Sequence, residues 1–274
     1  MNSRQNTWQI IKSKVIFLGF LTLSFFSCSN SNNQTSGNAD GKDPGSATKM
    51  VSVSADNDCG NSLLFKKGVK MQSVTYNGEG KEINKQSATV IKVYEEAAFR
   101  VAEIETQSTD TLLATNNKPN VLLYKCDGKS LFMDISGLLP KDNKAKIEGG
   151  GLSFPTRLSA GEVLPDAEYS ISMEQAGKKM KIVSHVTDRK VESKENLVIS
   201  GERYECYKIS SIINADIEMP GLTDQMKKSM EAMKAKMPKN KMIIWYAPEA
   251  TVLKMEFYMG EKLTTRNEVT SISR

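Results

Sequence analysis

From Cys59 to the C-terminus, short runs alternate apolar and polar residues with a period of two, and this limits the possible folds more than any other feature of the chain. Leu131, Met133 and Ile135 alternate with Phe132 and Asp134. Tyr169, Ile171 and Met173 alternate with Glu168, Ser170 and Ser172. Leu253, Met255, Phe257 and Met259 alternate with Lys254, Glu256 and Tyr258. Such a run buries one face of a strand and leaves the other wetter. Turn signals separate the runs: Asn77-Gly78, Asp127-Gly128, Ala176-Gly177-Lys178 and Gly260-Glu261. Asn-Gly and Asp-Gly suit the positive φ angles of tight hairpins. Around ten strands can be placed from these signals. Their spacing predicts an antiparallel meander with no βαβ alternation.

One segment breaks the pattern. Between Leu222 and Met237, methionines stand at Met226, Met230, Met233 and Met237. That spacing makes one stripe of a helix, with Lys227, Lys228, Lys234 and Lys236 largely off it. Pro220-Gly221 precedes the segment, Thr223 or Gly221 can cap it, and Pro238 stops it. So short a helix is not stable alone in water. The expectation is that its stripe lies on the sheet, either as core packing or as a lid over an apolar groove. Thioethers are flexible and polarizable, which suits a lid.

The first 27 residues are a targeting segment and not part of the fold. Arg4, Lys12 and Lys14 form a basic head, and Val15 to Phe26 is almost wholly apolar. A dozen helical residues span about 18 Å, short of a bilayer core of about 30 Å. Ser27 is small and Cys28 follows it, which predicts cleavage and acylation at Cys28. Phe25 stands where such signals usually carry Leu. Two or more acyl chains anchor a protein stably. The membrane is therefore an expected partner through the N-terminal lipid, a diacylglycerol with a further acyl chain such as palmitate.

Residues 28–58 are rich in Ser, Asn, Gly and Asp and read as a flexible lipidated tether. Residues 59–274 read as a single β-rich domain. The full chain has 37 basic and 32 acidic residues, for a net charge of +5. Without the signal it is near +2, because the three basic residues named above leave with it. A mild, dispersed charge gives no nucleic-acid footprint.

Cys59, Cys126 and Cys206 remain in an oxidising compartment, so one intramolecular disulfide can form. Three pairings are open. Cys59 opens the domain and Cys126 precedes a hairpin turn, whereas Cys206 sits inside the strand Tyr204 to Ile209. We therefore expect Cys59–Cys126, with Cys206 a buried thiol.

Chemistry finds little support. His185 is the only histidine, in a strand running from Lys181 to Thr187, where a structural or solvated role is the expectation. The cysteines lack the paired spacing of a zinc knuckle. Gly128-Lys129-Ser130 resembles the end of a phosphate loop, but Leu123 occupies the position that loop gives to glycine. Carboxylates are scattered among lysines, with no pair placed to split its two pKa values. No metal, no cofactor and no enzymatic activity are expected.

The run VISGERYECYKI from Val198 to Ile209 resembles a segment of TapB-like envelope proteins, common among Bacteroidetes lipoproteins and related to a broader exported domain of unknown function. Other pieces are similar in the same order. These are Cys59-Gly60, Tyr124 to Gly128, Met133 to Ser136, Leu152 to Pro155 with Gly161 and Leu164-Pro165, Thr187 to Glu192, and Trp245 to Ala247. The resemblance spans Cys59 to Ser273, with the methionine helix as an apparent insertion between paired strands. It implies a curved β-sheet or half-barrel and no established activity. The combined expectation is a mostly β fold, a curved antiparallel sheet or open half-barrel with one inserted amphipathic helix. The expected function is a non-enzymatic envelope lipoprotein at the outer membrane, facing the periplasm. It would bind an apolar or lipid-like ligand or an envelope protein on the concave face. The alternative is a structural or assembly component of the envelope.

Overall fold

The computed structural model describes residues 58–108, 119–134, 146–149, 151–175, 178–221, 223–236 and 238–274. The expected signal, Cys28, nearly all of the tether, Leu222 and Met237 lie outside them. The strands are β1 Lys70–Asn77, β2 Glu82–Glu96, β3 Phe99–Ser108, β4 Asn120–Cys126, β5 Ser130–Asp134, β6 Lys146–Gly149 and β7 Leu152–Pro155. They continue as β8 Ala167–Gln175, β9 Lys178–Ile199, β10 Glu202–Glu218, β11 Asn240–Tyr246, β12 Val252–Met259 and β13 Lys262–Ser273, with helix α1 at Asp224–Lys236 between β10 and β11.

All thirteen strands join one sheet in the order β6-β8-β9-β10-β11-β12-β13-β1-β2-β3-β4-β5-β7. Two meanders are thus sealed where the first and last strands pair, Lys70 opposite Ser273. Every pairing along the sheet is antiparallel, so successive turns fall at alternate ends. One end collects Ser200-Gly201, the 247–251 turn, Asp127-Gly128 and the start of β1. The opposite end collects α1, the 78–81 turn and Gly260-Glu261.

The two outermost strands, β6 and β7, are consecutive in the chain. Gly149 and Leu152 are three residues apart, which spans at most about 10 Å. The sheet must therefore curl until its edges nearly meet, yet it does not close into a barrel. The crossing depends on glycine. A Cβ on Gly149 would sit 2.7 Å from the carbonyl oxygen of Glu168, and one on Gly151 would sit 2.1 Å from that of Met133. Both residues also have positive φ, +114° and +66°, where a side chain is strained.

Arg189 holds the curl together. Its side chain is 2% exposed and donates to the carbonyl oxygens of Ser153 and Pro165, each at 2.7 Å. It thereby ties β9 to β7 near the opposite edge. Its guanidinium also lies 5.7 Å from the Phe154 ring. Phe154 in turn stacks on Tyr246 of β11 at 4.8 Å. Inside the curl, Leu64, Ile104, Val186, Ile209, Ile213 and Leu253 are buried with them.

The chain enters this interior at residues 58–65 as two short 3-10 turns. Leu63, Leu64 and Phe65 are buried. The Leu63 amide donates to the Glu249 carbonyl at 2.7 Å, and the Ser62 hydroxyl to that of Ala250 at 3.2 Å. Cys59 is joined to Cys126 by a disulfide with Cα atoms 6.0 Å apart. This plug closes the Ser200-Gly201 end of the curl. Cys206 is a free, buried thiol, and burial pushes its pKa up to about 12.

Candidate functional site

The concave face, expected to be the binding surface, is filled with side chains at the plug end. What space remains there is a pocket of about 260 Å³ beside the disulfide, lined by Cys59, Phe65, Leu131, Arg157, Tyr246 and Glu249 among others. A larger cleft of about 780 Å³ opens at the other end, where β6, β8, β9 and β10 run toward α1. Its volume falls in the range of small-molecule sites, roughly 300–1,000 Å³.

Strand register explains the cleft's lining. Met173 and Met180 are opposite one another on β8 and β9. Glu218 is opposite Lys181, which brings Met219 beside Met180. Three thioethers therefore converge, with Ile217 and Pro220 next to them. Lys146, Lys181 and Lys227 share the lining with Glu148, Glu174 and Glu218. Strand alternation sets the strand-borne charges among these on the face opposite Met173, Met180 and Ile217, so the cleft wraps the end of the sheet, with thioethers on one side and charges of both signs on the other. None of the three methionines stood out in the sequence. Met173 was legible as a strand position, but only pairing across the hairpin puts it beside Met180.

The methionine stripe of α1 is not where its sequence placed it. No residue of α1 is buried. Met226 and Met233 are 51% and 52% exposed, Met230 is half-buried, and Met237 lies outside the described residues. The stripe is therefore neither core nor a lid pressed onto the sheet. The physical reason lies in the surface beneath it. His185 Nδ1 is 3.0 Å from Glu168, and its Nε2 is 3.3 Å from Asp216. Lys234 of α1 pairs with that same Asp216. The lysine, with help from His185, holds the Asp216 carboxyl below the usual carboxylate range. The sheet thus offers charge to the helix, and a lysine answers it in place of a methionine. His185 crosslinks β8 to β10.

On β11, Trp245 and Tyr246 point to opposite faces. Trp245 is 5% exposed, covered by Lys208 at 5.3 Å and Lys254 at 4.4 Å. Its Nε1 donates to Glu195 at 2.7 Å, which holds the Glu195 carboxyl below the ordinary range. Lys208 reaches the same carboxylate at 3.2 Å, and Lys254 reaches Glu256 at 2.9 Å. These lysines are paired with acids, so this face is a self-satisfied cover and not a binding patch.

The sequence pattern of the DUF3108-like family matches residues 66–268, from just after the plug into β13. The chain belongs to the DUF3108-like family. The match takes in both meanders and α1, and it leaves the plug outside. Two solved structures show the same fold. One is a protein of Bacteroides fragilis described as exported and YmcC-like in fold, with 18% identity and a TM-score of 0.54, covering 76% of this chain and 97% of that one. The other, from Parabacteroides distasonis, is described as a lipoprotein, with 13% identity and a TM-score of 0.56, covering 76% and 96%. No curated protein matches the chain. Among the described residues there is no cluster of metal-ligating side chains, and no helix is long and apolar enough to cross a membrane.

Proposed function

We propose that this DUF3108-like chain is a non-enzymatic lipoprotein of the cell envelope that holds an apolar, lipid-like molecule in the cleft at the helix end of its curved sheet. The observation that carries this reading is the convergence of Met173, Met180 and Met219 at a cleft whose rim of lysines and glutamates comes from the other face of the same strands. Flexible thioethers accept apolar chains of varied shape, and the rim suits a polar head. The lipoprotein part is supported by the Ser27-Cys28 signal and by the exported and lipoprotein descriptions of the two structural neighbours. The narrower TapB-like assignment rests on the ordered segments from Cys59 to Ala247. Placement at the outer membrane, facing the periplasm, rests on Ser29 and Asn30, which follow Cys28 without an acidic cluster.

The test is native purification from the envelope, followed by mass spectrometry of co-purifying lipids. A bound amphiphile should be present in the native chain and lost from Met219→Glu, whose partly exposed side chain leaves the fold intact. A second reading, a structural component of the envelope with no small-molecule ligand, is favoured by the filled interior at the plug end. An empty cleft in both proteins, with an envelope protein co-purifying instead, would select it.

A further inference from the structure

Helix α1 turns its lysine side, not its methionine side, toward the sheet. At about 100° per residue, Met226, Met230 and Met233 share an arc of roughly 60°. Lys227 and Lys234 lie about a quarter turn from the centre of that arc. Lys234 pairs with Asp216, and Lys227 lines the cleft. The methionine stripe therefore faces sideways, away from the body, which accounts for the exposure of Met226 and Met233. Lys236 borders the stripe on its other side, about a quarter turn away. Asp224 and Glu231, the two acids of α1, fall on the far side of the helix from the stripe. Lys228 stands with these acids behind the stripe; an apolar stripe with cations along both borders and a mixed polar face behind it is the arrangement of a helix lying in a bilayer interface. Anionic headgroups attract such cations.

We infer that α1 is a membrane-contact element, whose Met226–Met230–Met233 stripe enters the headgroup layer of an anionic bilayer with Lys227 and Lys236 beside it. The inference rests on the lipoprotein reading for one thing only, the supply of bilayer at high local concentration, which lets a weakly apolar helix dock. Chain length permits it. About 30 residues separate Cys28 from the plug, a reach of roughly 100 Å when extended. The 22 residues of β9 run about 70 Å. The helix end can thus touch the same membrane that holds the lipid, with the cleft beside it. Lys227 belongs to both surfaces, so docking sets the cleft's mouth at the bilayer.

The test uses the full chain carrying Met233→Cys, labelled with an environment-sensitive fluorophore. Cys206 is buried and its thiol pKa is raised to about 12. Cys59 and Cys126 are joined and Cys28 carries the lipid in the anchored chain, so the label goes to the new thiol, with the chain that keeps Met233 as the labelling control. With vesicles of phosphatidylglycerol and phosphatidylcholine, the emission should shift to the blue and become quenchable by lipid-borne nitroxides. With pure phosphatidylcholine it should not. High salt, or Lys227→Glu with Lys236→Glu, should remove the shift. A label at Glu231→Cys should stay in water throughout. A vesicle-bound chain whose Met233 label remains aqueous on anionic vesicles overturns the inference and points to a protein partner for the stripe. If the chain fails to associate at low lipid, the anchor reading fails separately, and the shift at excess vesicles still decides the helix.

Discussion

At the plug end, Cys59, Phe65, Phe154 and Tyr246 are packed around a crosslink and a buried arginine. At the helix end, Met173, Met180, Met219, Met226 and Met233 stand open or half-open among lysines and glutamates. Both ends belong to the same antiparallel sheet. They differ in what fills the curl. The N-terminal turns occupy one mouth, bonded to the carbonyls of Glu249 and Ala250. Nothing comparable enters the other mouth among the described residues. The contrast teaches that a curled sheet can place its stability at one end and keep apolar surface available at the other. Most segments that resemble TapB-like proteins sit in the packed half: Cys59, Cys126, Leu152 to Pro155, Thr187 to Glu192 and Trp245 to Ala247. Read with the structure, they describe how the sheet closes and not what it binds.

The most direct way to break the contrast is to release the plug. Replacing Cys59 and Cys126 together with serine opens a loop of sequence separation 67. The chain-entropy model gives such a crosslink about 4 kcal/mol. For a domain of this size the melting temperature should fall by roughly 8–16 °C, read by thermal unfolding with and without reductant. A fall of only a degree or two would mean that packing of Leu63 to Phe65 holds the plug unaided. The next largest effect is expected at Arg189. Arg189→Met leaves the carbonyls of Ser153 and Pro165 without their donor. Bonds to a charged group contribute about 1.5–3 kcal/mol each, part of which is offset by no longer burying the charge. A net loss of about 3 kcal/mol is expected, measured by urea unfolding. An unchanged midpoint would show that the glycine crossing alone sets the curl.

The strands of both halves were legible because Tyr169, Ile171, Leu253 and Phe257 alternate inward and are buried as the period requires. The count fell short of thirteen because β6 and β7 have four residues each, too few to show a period. Their placement at opposite edges is a property of topology and leaves no local trace beyond the glycines at 149–151. Arg189 gave no signal of its own, since a lone arginine in a polar run shows no sign of burial. The cleft was illegible for the same reason as the topology: its methionines come from three different segments. The stripe on α1 was legible as a stripe, but its direction was not. That depends on Asp216, which lies on β10 and takes a lysine.

Acid should loosen the contact between α1 and the sheet. The folded Asp216 carboxyl is depressed by Lys234, so its stabilisation is fully present above the unfolded value of about 3.9. It is lost as pH falls through the lower folded value. Both partners are about half exposed, so the pair contributes well under 1 kcal/mol. The expected signature is therefore local: protection of the amides across Asp224–Lys236, taken relative to their intrinsic exchange rates, falls below about pH 4. Asp216→Asn should reproduce it at neutral pH. Equal loss of protection in β3 and β4 would show that α1 and the sheet unfold as one unit.

The smallest effect is expected where the sequence alone placed the largest. Had the methionine stripe been core, replacing Met226 and Met233 with serine would cost several kcal/mol, as truncation of the buried Met242 should. Both side chains are about half exposed on a helix with no buried residue, so the double change should stay within about 0.5 kcal/mol. Removing residues 221–239 across a short Gly-Ser link should also leave a folded sheet. The pairing of β10 with β11 runs from Tyr207–Tyr246 to Ile213–Asn240 without any help from α1. The informative readout is the divergence of two measurements on the same variants. Melting temperature should hold nearly constant, while binding of the chain without its lipid anchor to excess anionic vesicles should fall for both the serine pair and the deletion. A melting temperature that falls with the serine pair would put the stripe back against the sheet and erase the distinction between the two ends. Constant stability with constant vesicle binding would keep the distinction and take the bilayer away as its purpose.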